Sequence, residues 1–153
     1  MTNLVDAQGR ALIRYTADLV VFAEDRVLAI VRGTNPFKGR LALPGGHVDH
    51  GETSLAAVVR ETAEETGLRV SASQLRRVDI FDAVDRDPRG RVVSVAYVVA
   101  FRHRPYVRPG SDAARAVWVT PDDAMVPGRM AFDHADILAA AYALLRDGHL
   151  DRH

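Results

Sequence analysis

The sequence predicts a mixed α/β domain in which a mixed β-sheet lies between helices. Strand-like apolar segments and helix-period segments follow one another in the order strands, helix, strands, helix. Only two segments are long enough for substantial helices, and short hairpin turns join neighbouring strands, which argues against a doubly wound parallel sheet. At 153 residues the chain fits a single domain over 1–153, with 1–16 as an N-terminal extension or a dimer contact.

The elements follow from local chemistry. Tyr15 to Phe22 is a strand, since Leu19, Val20, Val21 and Phe22 are apolar and mostly β-preferring. Glu24-Asp25 turns the chain into Arg26 to Val31, closing a hairpin. Asn35-Pro36 and Lys38-Gly39 make 33–40 a loop. Leu41 to Leu43 is a short strand that runs into a Pro44-Gly45-Gly46 turn. Thr53 or Ser54 caps a helix that continues to Thr66, and Gly67 stops it. Leu68 to Val70 leaves it extended. Strands over Leu75 to Phe81 and Arg91 to Phe101 flank a polar loop at 82–90, and Ala116 to Val119 adds a short strand. Thr120-Pro121 opens a short helix. Asp133 to Arg146 is a final amphipathic helix with Ile137, Leu138, Ala141, Leu144 and Leu145 on its apolar side.

Composition excludes several function classes. Twenty basic residues balance 20 acidic ones, so the chain is neither a uniformly basic nucleic-acid binder nor a membrane-surface polycation. The absence of cysteine removes disulfides, zinc-thiolate sites and thiol nucleophiles. No apolar run approaches the ~20 residues of a membrane span, and residues 1–10 lack the apolar core of a signal peptide. Cytoplasm is the expected compartment. The neutral total hides a segregated pattern: residues 49–67 carry net −4 and residues 86–108 net +5. Of the 20 basic residues 19 are Arg, the side chain that grips phosphate, although codon usage is the better explanation of such a bias.

The acidic segment carries the chemistry. Glu61, Glu64 and Glu65 stand at i, i+3 and i+4 and share one helix face. Like charges at that spacing cost roughly 0.2–0.5 kcal/mol per pair. Alone they describe a solvated acidic face; together with their surroundings they call for a cation among them. Leu55, Val58, Val59 and Thr62 on the opposite side would face the core, leaving the acidic face turned away from it. Oxygen ligands without His or Cys at metal spacing select Mg²⁺ or Mn²⁺. The glycines of Pro44-Gly45-Gly46 allow close backbone approach, and a free carbonyl there adds an oxygen ligand. Arg60 can pair with Glu52 and tie the loop to the helix.

The full pattern reads Gly46, five residues, Glu52, seven residues, then Arg60-Glu61-Thr62-Ala63-Glu64-Glu65-Thr66-Gly67-Leu68. It resembles the box of the Nudix hydrolases, G-x5-E-x7-R-E-U-x-E-E-x-G-U with U a bulky aliphatic. All seven fixed positions match; Thr62 departs from the first U, and its hydroxyl can bond back to the preceding helix turn. The resemblance implies an α/β/α sandwich and divalent-metal hydrolysis of a nucleoside diphosphate linked to another moiety, X. It implies that Glu61, Glu64, Glu65 and the Gly45 carbonyl bind Mg²⁺, with Mn²⁺ as a substitute, and that Glu52 and Arg60 orient the site. The general base is left among Glu61, Asp112, Asp122 and Asp123.

Two further stretches, Arg32 to Gly46 and Asp85 to Ser94, are similar to the ADP-ribose pyrophosphatases, with Pro88 placed 20 residues beyond Leu68. Ala131-Phe132-Asp133-His134 is similar as well. The implied substrate is ADP-ribose, cleaved to AMP and ribose 5-phosphate. Arg32, Phe37, Arg86, Pro88 and Arg89 are the expected substrate contacts. Arg86, Arg89 and Arg91 offer guanidinium groups for phosphates or ribose hydroxyls, and Phe37 or Tyr97 offers a ring for stacking. Asp87 could instead bond its own backbone in a plain turn. His47 and His50 read as surface or loop-packing residues. Two other functions compete: pyrophosphohydrolysis of a nucleoside triphosphate, and ADP-ribose sensing by a non-catalytic regulatory domain. The second expects an added DNA-binding domain, whereas the sequence stops shortly after its last helix and keeps all three box glutamates. The expected partner is a nucleotide-type small molecule, with no nucleic acid, no membrane and a homodimer as the assembly of relatives.

Overall fold

The computed structural model describes residues 4–108 and 115–153. Its strands are β1 (Arg14–Ala23), β2 (Arg26–Val31), β3 (Leu41–Ala42), β4 (Gly45–His47), β5 (Arg76–Phe81), β6 (Val92–Phe101) and β7 (Arg115–Val119). Its helices are α1 (Ser54–Thr66), the single turn α2 (Pro121–Ala124) and α3 (His134–Arg146). The strands form one mixed sheet: β1 pairs with β6 in parallel over Arg14–Ala23, and the other pairings are antiparallel.

Alternation along β1 separates two cores. Ala17, Leu19 and Val21 face α1 with Ala57, Val58, Val95, Tyr97 and Val99. Val20 and Phe22 face α3 with Ala96, Val98, Ile137, Leu138 and Ala141. A sheet buried on both faces requires apolar residues at successive positions, which is why Leu19–Ala23 reads as a continuous run. The predicted sandwich is therefore the observed architecture.

Two differences from the sequence reading bear on the site. Gly45-Gly46 is a strand rather than a turn: β4 pairs Gly45–His47 with Thr16–Asp18 of β1. β1 and β2 pair only near their hairpin, at Phe22↔Val27 and Ala23↔Arg26, and then diverge. β3 takes the freed edge of β2 and β4 the freed edge of β1, so residues 41–47 fill a fork in the sheet. Residues 129–131 run beside β3, with Leu41 N–H donating to the Arg129 carbonyl and Ala131 N–H to Leu41, and so bring the start of α3 to the same fork.

The caps of α1 are those expected. Thr53 Oγ1 accepts from Ala56 N–H at 3.1 Å, a cap of about 1 kcal/mol, and Gly67 ends the helix at φ 72°. The core face is rotated from the predicted one: Ser54, Ala57, Val58, Thr62 and Thr66 are buried, while Leu55 and Val59 are half-buried. Thr62 does not make the expected back-bond. Its buried Oγ1 has no partner among the described residues, and Thr66 Oγ1 donates to the Thr62 carbonyl instead. In the N-terminal stretch, Asp6 gathers the backbone of Gln8 and Arg10 into a turn bridged by Val5 and Ala11, with Leu4, Val5, Leu12 and Ile13 exposed. Among the described residues no helix is long and apolar enough to cross a membrane.

Candidate active site

Segment 43–47 is held at every residue. Leu43 N–H donates to His134 Nδ1 at 2.9 Å. The Pro44 carbonyl accepts from Leu19 N–H at 2.8 Å. Gly45 N–H donates to Glu65 Oε2 at 3.0 Å. A Cβ on Gly45 would overlap the Ala17 carbonyl oxygen and stand 2.8 Å from Asp18 Cα, so the strand's approach to β1 requires glycine there, whereas at Gly46 a Cβ would meet only the movable end of the Glu61 side chain. The His47 carbonyl accepts from Arg60 Nη2 at 3.0 Å. His47 and His50 themselves are exposed.

Arg60 organises the acidic face. Its Nε and Nη2 donate to the two oxygens of Glu52, each at 2.9 Å, the fork geometry that suits a carboxylate. Its Nη1 reaches Glu61 Oε1 at 2.8 Å and Glu64 Oε2 at 3.3 Å, and Asp49 lies 3.4 Å away. The Arg60 bond holds Glu52 down to about 2. The acidic face is not turned to open solvent, as its position opposite the apolar residues suggested. Glu64 is exposed, but Glu61 is largely covered, and Glu65 points into the fork beneath Gly45. Burial pushes the Glu65 carboxyl up to about 8, reinforced by Glu61, Asp18 and Glu64 and opposed by the Gly45 N–H.

A cavity of about 630 Å³ has walls that include Phe37, Phe81, Arg86, Pro88, Phe132 and Asp133, the last two adjoining His134, which holds Leu43. Its size is that of a small-molecule site. Phe37 meets Phe132 edge-on, ring centroids 5.0 Å apart. Both hold positive φ, 64° and 51°, a strained backbone for bulky residues that persists where surrounding contacts fix it. The Arg32 guanidinium lies 4.8 Å and that of Arg89 5.4 Å from the centre of the Phe132 ring. Burial lowers the Arg32 pKa, with the Arg89 charge adding to it, while Asp87 and Glu65 act in the opposite sense. Arg32 thus feels both the cavity and the acidic face.

The arginines of the basic segment are engaged. Arg86 is buried, its Nε and Nη2 on the two oxygens of Asp133 at 2.9 and 2.7 Å. Arg89 makes the same fork to Asp87, whose Oδ1 also accepts the Arg89 N–H in the expected turn. Arg91 donates to the Asp82 carbonyl, and Arg104 pairs with Glu24. Asp133 and Glu24, from outside the segment, meet two of the net +5 of residues 86–108; Asp87 is already counted in that net. Tyr97 lies in the core under α1 with its hydroxyl 2.8 Å from Ser54 Oγ, so it offers no stacking face. Asp122 and Asp123 are exposed on α2, which packs against α3, and Asp112 lies outside the described residues.

A family profile for the NUDIX domain matches residues 12–141. The chain belongs to the Nudix family. It is 39% identical over 121 residues to an ADP-ribose pyrophosphatase of Methanocaldococcus jannaschii, covering 79% of this chain and 68% of that protein. It is 33% identical to the ADPR responsive transcriptional repressor NtrR of Acinetobacter baylyi, covering 86% of this chain and 54% of the repressor. Two solved structures superpose closely. A MutT/nudix family protein from Enterococcus faecalis has a TM-score of 0.82 at 27% identity, covering 95% of this chain and 66% of that one. The NUDIX domain of Shewanella oneidensis NrtR, solved with ADP ribose, has a TM-score of 0.80 at 26% identity, covering 92% and 94%. The chain thus spans about half the repressor and about two thirds of the pyrophosphatase.

Nudix hydrolases use divalent metal ions, and the Nudix box here presents hard oxygen donors on Glu61, Glu64 and Glu65 beside a strand that glycine alone can form. These donors fit such an ion. Among the described residues no three His, Asp or Glu side chains converge closely enough to enclose one by themselves. Sequence reasoning passed over Asp18, a lone charge inside the apolar run of β1 and only 6% exposed. That isolation was the available signal.

Proposed function

We propose that this Nudix domain hydrolyses ADP-ribose at its pyrophosphate with Mg²⁺, giving AMP and ribose 5-phosphate. The supporting observation is an under-neutralised carboxylate face in the same domain as a cavity walled by Phe37, Phe132 and Arg86, with Arg32 packed on the Phe132 ring. The names of the relatives point to the same ligand. Glu61, Glu64, Glu65 and the Gly45 carbonyl would hold the metal, with Mn²⁺ as a substitute. Bound there, a divalent cation neutralises the pyrophosphate and favours ionisation of the attacking water.

The chain's own residues do the positioning. Arg60 keeps Glu52, Glu61 and the His47 carbonyl in one frame, so α1 and β4 present their oxygens together. Arg32, its Nε on the Pro36 carbonyl and its guanidinium over the Phe132 ring, would offer its remaining N–H groups to a phosphate oxygen. Phe37, Pro88 and Phe132 supply an apolar wall for a base or ribose. Arg86 and Arg89 act through their carboxylates, fixing that wall, rather than as free phosphate clamps.

A second reading, ADP-ribose sensing without turnover, is favoured by the repressor relative and by the NrtR domain's ligand. One experiment separates them: AMP release from a substrate panel with Mg²⁺, comparing wild type with Glu64→Gln. We expect AMP from ADP-ribose and a loss on the order of 10²-fold or more in the variant. Saturable ADP-ribose binding without AMP selects the sensor. Cleavage of a deoxynucleoside triphosphate in place of ADP-ribose selects the pool-sanitising activity, and an unaffected Glu64→Gln refutes the metal role.

A further inference from the structure

We propose that His134 is a positioning residue: it fixes the Leu43–Gly45 segment over Asp18, and thereby the Gly45 carbonyl, while its neighbour Asp133 fixes Arg86 on the cavity wall. This rests on the metal role proposed above for Gly45 and the α1 glutamates.

The segment needs such a holder. β3 ends at Ala42 and β4 begins at Gly45, so Leu43 and Pro44 fall outside both ladders. Leu43 is 2% exposed, and its N–H finds a partner in His134 Nδ1 rather than in water. With Nδ1 accepting, the proton of the neutral ring lies on Nε2, the nitrogen 3.7 Å from Asp18 Oδ1. Asp18 is fixed from its other side by the Ser94 hydroxyl of β6. It also bounds the space at Gly45: a Cβ there would stand 2.7 Å from Asp18 Oδ1 and 2.8 Å from its Cα. The chain of contacts runs from Leu43 through His134 and Asp18 and closes on Gly45, two residues from where it began.

The first turn of α3 is shaped for this work and not for helix stability alone. Asp133 stands at the N-cap, where its carboxylate could accept a helix N–H. It makes no such bond and serves Arg86 with both oxygens. Phe132, just before it, holds φ 51° and packs against Phe37 and His134. Three successive residues at the entry to α3 thus hold the aromatic wall, the arginine wall and the metal segment.

The test uses the full chain and Mn²⁺ without substrate, read by calorimetry, alongside amide exchange at Leu43 and Gly45. His134→Leu fills the space but removes the acceptor. We expect about 10-fold or greater loss of Mn²⁺ affinity, the size typical of residues that orient metal ligands, and faster exchange at both amides. His134→Asn returns an oxygen near the Nδ1 position and should recover most of the affinity; His134→Gln carries its oxygen one bond further and should not. That pair decides the matter even where the leucine variant does not fold. Wild-type Mn²⁺ affinity in His134→Leu, or equal affinity in the Asn and Gln variants, overturns the proposal. Glu64→Gln is the control: if it binds Mn²⁺ like wild type, the underlying metal reading fails. If it loses Mn²⁺ while His134→Leu does not, only the role of His134 fails.

Discussion

The two charged regions of the site use the same residue types in different ratios. On α1 and the loop before it, one guanidinium, Arg60, serves Asp49, Glu52, Glu61 and Glu64, and among the described residues no guanidinium reaches Glu65. Around the cavity the pairing is one to one, Arg86 with Asp133 and Arg89 with Asp87. The first arrangement keeps an excess of negative charge that Arg60 can order but not cancel. The second is balanced, so its arginines act as struts. Charge counted along the sequence treats −4 and +5 as equivalent features; in space the first is gathered on one guanidinium, while Arg86 and Arg89 of the second each hold a carboxylate of their own.

The largest effect that tests this contrast is the removal of each region's guanidinium. Arg86→Ala leaves Asp133 without its partner in a mostly buried pair, and should cost about 3–5 kcal/mol in urea unfolding. Arg60→Ala, in a more exposed network, should cost about 1–3 kcal/mol. Mg²⁺ should restore a larger share of the lost melting temperature in Arg60→Ala than in Arg86→Ala, because a cation replaces charge only where charge is missing. Equal restoration would erase the contrast.

A middle-sized effect concerns pH. Glu65 binds its proton more tightly in the folded state, about 8 against an ordinary 4.5. Its contribution to stability is complete below 4.5 and is lost as pH rises through about 8. In EDTA the protein should therefore melt at progressively lower temperature over that window. Glu65→Gln should flatten that fall and melt above wild type at pH 8. Glu52 acts in the opposite sense: its depressed pKa of about 2 gives stability that is present above 4.5 and lost in acid. A Glu65→Gln variant that follows the wild-type pH profile would remove Glu65 from the strained side of the comparison.

The smallest effect lies on the buried side of α1. Thr62→Val removes the unpartnered hydroxyl and keeps the shape, and should stabilise by about 1 kcal/mol with unchanged turnover. A loss of turnover would give Thr62 a part in the acidic face that its burial argues against.

What the sequence made legible was local. The α1 caps, the Glu61, Glu64 and Glu65 spacing and the Arg60–Glu52 pair depend on residues within a few turns of one another. What it hid depends on distant pairing. Gly45-Gly46 reads as a turn by composition and becomes a strand only because β1 and β2 part to admit it. Arg86 reads as a free guanidinium because its carboxylate comes from the N-cap of α3, 47 residues away. Glu65 reads as solvated because the helix period shows which face it shares but not that a glycine strand covers that face.

The fork has a consequence for remodelling. The loop at 33–40 and the polar loop at 82–90 reach the cavity, while the carboxylates are mounted on α1 and the strand it packs against. On the proposed function, shape recognition and bond cleavage would fall to different parts of the chain, joined at a seam only seven residues long, 41–47. Grafting a different 33–40 loop should exchange one substrate preference for another and leave the metal requirement where it was.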